Sequence, residues 1–327
     1  IPTNIDANVA SSKLPNIASW GDSITAGSNV NNVTVANAHG LDLVALGSTK
    51  NGGTYSEVLR NLIAAKGYGG INVANCGVGG ETTFTIAARA NTENYYLYLS
   101  SGVTLSTSPV VIPLAQNKNG MSGRDGVLRK DIKVNAEMSN VTITGTDANG
   151  NSISVTGIIT CTVTEDIPEG KYIWNCDSKY LRYTFTRTDG KTDTVNFAAG
   201  AKVITNASVI YDGRTCIVFM GENGGYNNDI PTLIKQQEEI LKACGNPEYY
   251  LVISTTSGST ESRKAITEAL AARWGDRYIN MGNELNSSRK SYEFVGFSEE
   301  AIVSVQENII AGTVTTLLLA DNCHPHA

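Results

Sequence analysis

The chain has 327 residues, 41% of them hydrophobic and 17% charged, which is enough apolar material for a real core and excludes a disordered chain. No apolar run approaches the ~20 residues that a bilayer span requires, which excludes an integral membrane segment. Twenty-five basic residues against 31 acidic ones give a net charge of −6, a balance that does not attract phosphate backbones and argues for no nucleic acid as partner.

From the start to about residue 100, short apolar runs alternate with helical stretches. Ile17 to Trp20 is an apolar run ending at Gly21. Tyr55 to Lys66 places Val58, Leu59, Leu62 and Ile63 on one helical face. Ile71 to Cys76 is a second short strand, and Thr82 to Ala90 reads as a helix. From about 103 to 211 the helical period disappears. Val141-Thr-Ile-Thr, Ile153-Ser-Val-Thr and Tyr183-Thr-Phe-Thr alternate like half-buried strands. Asn149-Gly150 and Asp189-Gly190 are two-residue signals of tight hairpin turns.

Strand and helix then alternate again. Cys216 to Met220 is a continuous apolar run, followed by a glycine-rich turn and a helix over Ile230 to Ala243 that Gly245 terminates. Tyr249 to Ile253, Glu261 to Trp274 and Tyr278 to Met281 read as strand, helix and strand. Five apolar strands separated by helices imply an α/β domain with a parallel sheet covered on both faces. The all-β stretch interrupts that domain. The expected division is 1–102 and 212–327 for the discontinuous α/β domain, and 103–211 for the inserted β module.

Six cysteines are too few and scattered for a disulfide scaffold. Cys76, Cys216 and Cys244 read as buried thiols, while Cys161 and Cys176 flank a hairpin and are candidates to pair. No CxxC occurs, so metal ligation has no support. The chain begins Ile1-Pro2 without Met. A removed signal peptide would explain that start, as would a cloning boundary, and the expectation leans towards a secreted or cell-surface protein.

The first strand ends in Trp20-Gly21-Asp22-Ser23, and ligands of open parallel sheets bind beyond such carboxyl ends. Glycine beside serine lets the backbone turn and present the hydroxyl; Gly-Asp-Ser is also ordinary turn chemistry. A serine nucleophile requires a base, usually histidine, oriented by a carboxylate. The histidines are His39, His324 and His326. His39 has only Asp42 nearby, whereas His324 follows Asp321 by three residues, a spacing that can bring the carboxylate to one imidazole nitrogen. A solvated tail is the plainer reading; two histidines near a C-terminus also suit a tag remnant, but a tag supplies neither Asp321 nor Pro325, which argues against it. Asn75-Cys76-Gly77-Val78-Gly79-Gly80 and Gly221-Glu222-Asn223 follow the second and third α/β strands and can supply oxyanion donors.

In order, Gly21-Asp22-Ser23, Gly77 to Gly80, Gly221-Glu222-Asn223 and Asp321 to His324 resemble the four blocks of the SGNH/GDSL hydrolase (esterase/lipase) family. The resemblance implies a three-layer α/β sandwich with a flavodoxin-like five-stranded parallel sheet in the order 2-1-3-4-5, interrupted by the all-β insert. It implies Ser23 as nucleophile, His324 as base and Asp321 as its orienter. The oxyanion hole would be the amides of Ser23 and Gly80 and the side chain of Asn223, with Gly77 and Gly79 as rivals to Gly80. Three features depart from the family: Gly224 stands where Asp is usual, His326 stands where Asn is common, and a closing helix normally follows.

The expected function is hydrolysis of carboxylic esters, with short acyl groups on carbohydrate as substrate and no cofactor. A lysophospholipase or thioesterase of the same fold is the nearest alternative, and a non-catalytic carbohydrate-binding or adhesion protein is a different class of answer. Tyr172, Trp174, Tyr180, Tyr183 and Phe185 in the insert could stack on sugar rings, although at strand spacing they also suit a core. With no proposed catalytic residue inside it, the insert is expected to be dispensable for hydrolysis of small esters. Oligomeric state is not legible.

Overall fold

The computed structural model describes residues 17–27, 42–43, 54–71, 73–116, 135–147, 149–171, 178–205, 215–255, 260–286 and 299–304. β1 (Ile17–Gly21) is buried from Ala18 onward and leads into the single-turn helix α1 (Ser23–Ala26). β2 (Asp42–Leu43) is followed by α2 (Tyr55–Ala65), β3 (Val73–Gly77) and α3 (Thr83–Arg89). A capping box starts α2: Thr54 Oγ1 accepts from the Glu57 N–H at 3.2 Å, and Glu57 Oε2 accepts from the Thr54 N–H at 2.8 Å.

The helix is where the pattern places it, but its buried face differs from the one expected. Val58 and Leu62 are exposed, whereas Ser56 and Arg60 are buried. Leu59 packs against the sheet. Arg60 tolerates burial by donating to the Gly69 carbonyl at 2.8 Å, an anchor that apolar periodicity does not reveal.

The chain then leaves the first sheet. β4 (Leu97–Leu99), β5 (Val103–Leu105), β6 (Val110–Val111), β7 (Leu114–Gln116), β8 (Asn135–Thr146), β9 (Ser152–Val163), β10 (Leu181–Arg187), β11 (Val195–Phe197) and β12 (Lys202–Ile204) follow. Seven of them form an antiparallel sheet in the order β6-β10-β9-β8-β12-β4-β7, and β5 pairs with β11. Alternation along β9 and β10 buries Val155, Ile159, Tyr183 and Phe185 in a core of their own.

Neither dipeptide turn signal is a two-residue hairpin. Between β8 and β9 the last bonded pair is Asp147 with Asn151, leaving a three-residue loop in which Gly150 takes the left-handed conformation. Asp189-Gly190 follows β10, but β10 and β11 lie in different sheets, so no hairpin forms there.

β13 (Thr215–Phe219), α4 (Ile230–Ala243), β14 (Tyr250–Ile253), α5 (Thr260–Trp274), β15 (Tyr278–Ile279), α6 (Met281–Asn286) and α7 (Glu299–Ser304) complete the described elements. The first sheet runs β15-β14-β13-β1-β3-β2. Its five parallel strands, counted in chain order, lie as 2-1-3-4-5, and β2 adds an antiparallel edge that the sequence reading lacks. Helices cover both faces. Ala18, Trp20, Cys76, Cys216 and Val218 meet α3, α4 and α5, whereas Ile217, Phe219 and Ile253 meet α2 and α6.

The two cores meet along α3. Ala87 packs with the parallel sheet and Ala88 with the antiparallel one. Gln116 Nε2 donates to the Phe84 carbonyl at 2.6 Å and the Tyr95 carbonyl at 3.3 Å, and the Thr205 hydroxyl donates to the Arg89 carbonyl. The β strands therefore support α3, and removing them would uncover Ala88 and take a donor from each of the Phe84, Tyr95 and Arg89 carbonyls. This runs against treating the insert as dispensable. No described helix is long and apolar enough to cross a membrane.

Candidate functional site

Strand register determines which loops meet. Gly21 pairs with Gly77 on one side and Phe219 on the other. Ser23, Gly80 and Asn223 therefore follow the carboxyl ends of three adjacent strands, where parallel sheets bind ligands.

The turn after β1 is packed against those strand ends. A Cβ on Gly21 would lie 2.0 Å from Thr25 Oγ1 and 2.5 Å from the Phe219 carbonyl oxygen. One on Gly77 would lie 2.1 Å from the Ala26 nitrogen. Both positions require glycine for lack of space. Asp22 caps α1 by accepting from the Ile24 N–H at 3.0 Å, and Gly27, at φ +80°, ends it. Thr25 Oγ1 and the Tyr55 hydroxyl are 3.1 Å apart, tying α1 to α2. Ser23 is thus nearly buried, at 7% exposure, in a turn held from three sides.

The Gly77 N–H donates to Asn75 Oδ1 at 2.9 Å, which removes it as an oxyanion donor. Gly79 is buried, while Gly80 is half-buried at φ +73°. Neither amide takes part in a hydrogen bond among the described residues. Asn223 is exposed, and its Nδ2 donates to the Glu81 carbonyl at 3.0 Å. One amide hydrogen is therefore held and the other is available. The Thr83 N–H donates to the Gly224 carbonyl at 3.0 Å, adding a second tie between the loops. A Cβ on Gly225 would approach Thr82 Cβ at 2.7 Å. Gly224, at φ +70°, occupies the position where Asp is usual.

Below these loops is an ion pair that the sequence reading missed. Arg89 Nη2 donates to Glu81 Oε2 at 2.8 Å and to the Cys76 carbonyl at 2.7 Å, and Arg89 Nε donates to both Glu81 oxygens. The side chains are 3% and 1% exposed. The guanidinium lies 5.2 Å from the Trp20 ring centroid. This pair fixes the residue whose carbonyl holds Asn223. Glu and Arg eight positions apart in sequence carry no mark of burial.

Asp22 is the second omission. Its side chain is 0% exposed, and Oδ2 has no hydrogen-bond partner among the described residues. Burial pushes its carboxyl up to about 8 against the Ile24 N–H bond, with Glu222 and Glu81 adding to the rise. Burial likewise raises the Tyr55 hydroxyl.

His39, Asp321, His324 and His326 lie outside the described residues, as does Cys176, so the base, its orienter and a Cys161–Cys176 bond belong to the sequence reading alone. Cys76, Cys161, Cys216 and Cys244 are buried. The Cys216 thiol is raised by its hydrogen bond to Cys244 and then by burial. Of the insert aromatics, Tyr183 and Phe185 are buried core residues, which removes these two from sugar stacking; Tyr180 is half-buried and packs against that core, and Tyr172 and Trp174 lie outside the described residues. Among the described residues no group of His, Cys, Asp and Glu could hold a metal ion. No family model matches the chain, and neither does a curated protein or a solved structure.

Proposed function

We propose that the chain is a serine hydrolase of carboxylic esters, related to the SGNH/GDSL enzymes, with acetyl and other short acyl groups on carbohydrate as its substrates. The observation that carries the reading is the convergence of the Ser23, Gly80 and Asn223 loops beyond three adjacent parallel strands, with Asn223 held by the Glu81 carbonyl.

In this mechanism Ser23 Oγ attacks the ester carbonyl as His324 takes its proton, and Asp321 orients the imidazole. The tetrahedral oxyanion receives hydrogen bonds from the Ser23 and Gly80 amides and the second Asn223 amide hydrogen. The C–O bond then breaks, and His324 returns the proton to the departing alcohol. Water attacks the acyl-serine with His324 again as base, releasing the acid and restoring Ser23.

The test combines a fluorophosphonate probe with p-nitrophenyl esters from acetate to decanoate and acetylated xylan. Ser23→Ala is expected to lose ~10³-fold or more in hydrolysis, and His324→Ala to abolish it while His326→Ala keeps most. Activity of Ser23→Ala within tenfold of the parent would overturn the assignment. A parent protein silent to both probe and esters would favour a binding protein.

A further inference from the structure

We infer, resting on the ester-hydrolase reading, that Asp22 is a positioning residue that works as the neutral acid, capping α1 without placing a negative charge beside the forming oxyanion. The geometry gives its two oxygens different roles. Oδ1 accepts the Ile24 N–H at 3.0 Å, as a carbonyl-type oxygen would. Oδ2 is buried and receives no donor among the described residues, so a charge on that oxygen would go unpaired. The backbone N–H groups of Ile24 and of Asp22 itself favour the ionised carboxyl, burial outweighs them, and the proton resides on Oδ2.

The surrounding charges act in the same direction. Glu81 faces Asp22 from the loop after β3, Glu222 from the loop after β13, and the Tyr55 hydroxyl from α2. The nearby cation Arg89 is engaged by Glu81. An ionised Asp22 would be a buried carboxylate beside those of Glu81, also buried, and Glu222, half-buried, and it is adjacent in sequence to Ser23. It would oppose the negative charge that develops on the substrate carbonyl oxygen at the Ser23 amide. A neutral carboxyl keeps the cap and avoids that opposition. Burial holds the proton up to about pH 8, so the enzyme is competent near neutrality and fails in alkali.

Two measurements test this. Hydrolysis of p-nitrophenyl acetate is followed at pH 7 and 9.5 for the parent and for Asp22→Asn, whose side-chain oxygen can still cap Ile24, with Ser23→Ala as the blank. The parent rate is expected to fall roughly 30-fold over that range if only the protonated form is active, and the Asp22→Asn ratio to stay within about threefold. The same alkaline fall in Asp22→Asn, or no fall in the parent, would overturn the role. Independently of activity or of any variant's folding, the Asp22 carboxyl carbon is titrated by ¹³C NMR in the parent. A midpoint well above 6 supports the neutral acid and one near 4 overturns it. That titration still reads Asp22 should the protein hydrolyse no ester, so failure of the hydrolase reading and failure of this inference remain distinguishable.

Discussion

Gly77 has an ordinary φ, yet a Cβ there would lie 2.1 Å from a backbone nitrogen of α1. Gly150 has φ +84°, and a Cβ there would meet nothing within 4 Å. The first closes the carboxyl end of the parallel sheet, and the second turns a hairpin of the antiparallel sheet. Glycine serves space at one and conformation at the other. At the parallel end three loops converge on one point, so backbone packs on backbone and side chains are restricted to those that fit or pair. At the hairpin the chain turns in solvent, and the constraint is local.

The same contrast holds for charge, and there the largest effect is expected. Arg89 and Glu81 are buried at the parallel end, whereas Lys242 and Glu93 form an ion pair with both side chains well exposed. Arg89→Leu strands a buried carboxylate and should cost ~3–5 kcal/mol. Lys242→Leu should leave stability nearly unchanged, because both partners of that pair are solvated. Urea denaturation of both variants reads the difference. Equal losses would mean that the buried pair is not what holds the Glu81 loop.

Next in size is Gly77→Ala. The added methyl forces α1 off the strand end and should cost ~1–3 kcal/mol by overpacking. Because Ser23 lies on α1, hydrolysis should fall by more than the loss of folded protein explains. A variant with a lowered melting temperature and unchanged kcat would show that α1 can shift without disturbing the site.

The elements that the sequence made legible are those whose reasons are local. Cys216 to Met220 and Ile230 to Ala243 were readable because continuous apolar runs and a clean cap-to-glycine helix carry their own signal. The helical period of Tyr55 to Lys66 was readable too. Its buried face was not, because Arg60 is anchored by Gly69, a contact set by tertiary packing. Ser23, Gly80 and Asn223 could be singled out from motif order, and register then shows why loops so distant in sequence adjoin. The Glu81–Arg89 pair and the buried state of Asp22 arise only when those loops close over each other. β2 escaped notice because two residues carry no period.

The smallest effect is expected at Gly150, where the hairpin has its own support. Asp147 Oδ1 accepts from the Asn149 and Asn151 N–H groups at 2.8 Å each, and Oδ2 accepts from Asn151 Nδ2 at 2.9 Å. These bonds, with the Asn151 side chain first, hold the Asp147 carboxyl below its ordinary range, so the loop keeps its shape wherever that group is ionised. Alanine at 150 meets no neighbour and suffers only the left-handed backbone, ~1–2 kcal/mol. Asparagine, which tolerates that conformation, should cost less than alanine. At Gly77 the order should reverse, because the larger side chain meets the same backbone nitrogen with more atoms. Melting temperatures of the four variants decide it. If asparagine proves worse than alanine at both positions, space governs the hairpin as well, and the contrast between the two glycines fails.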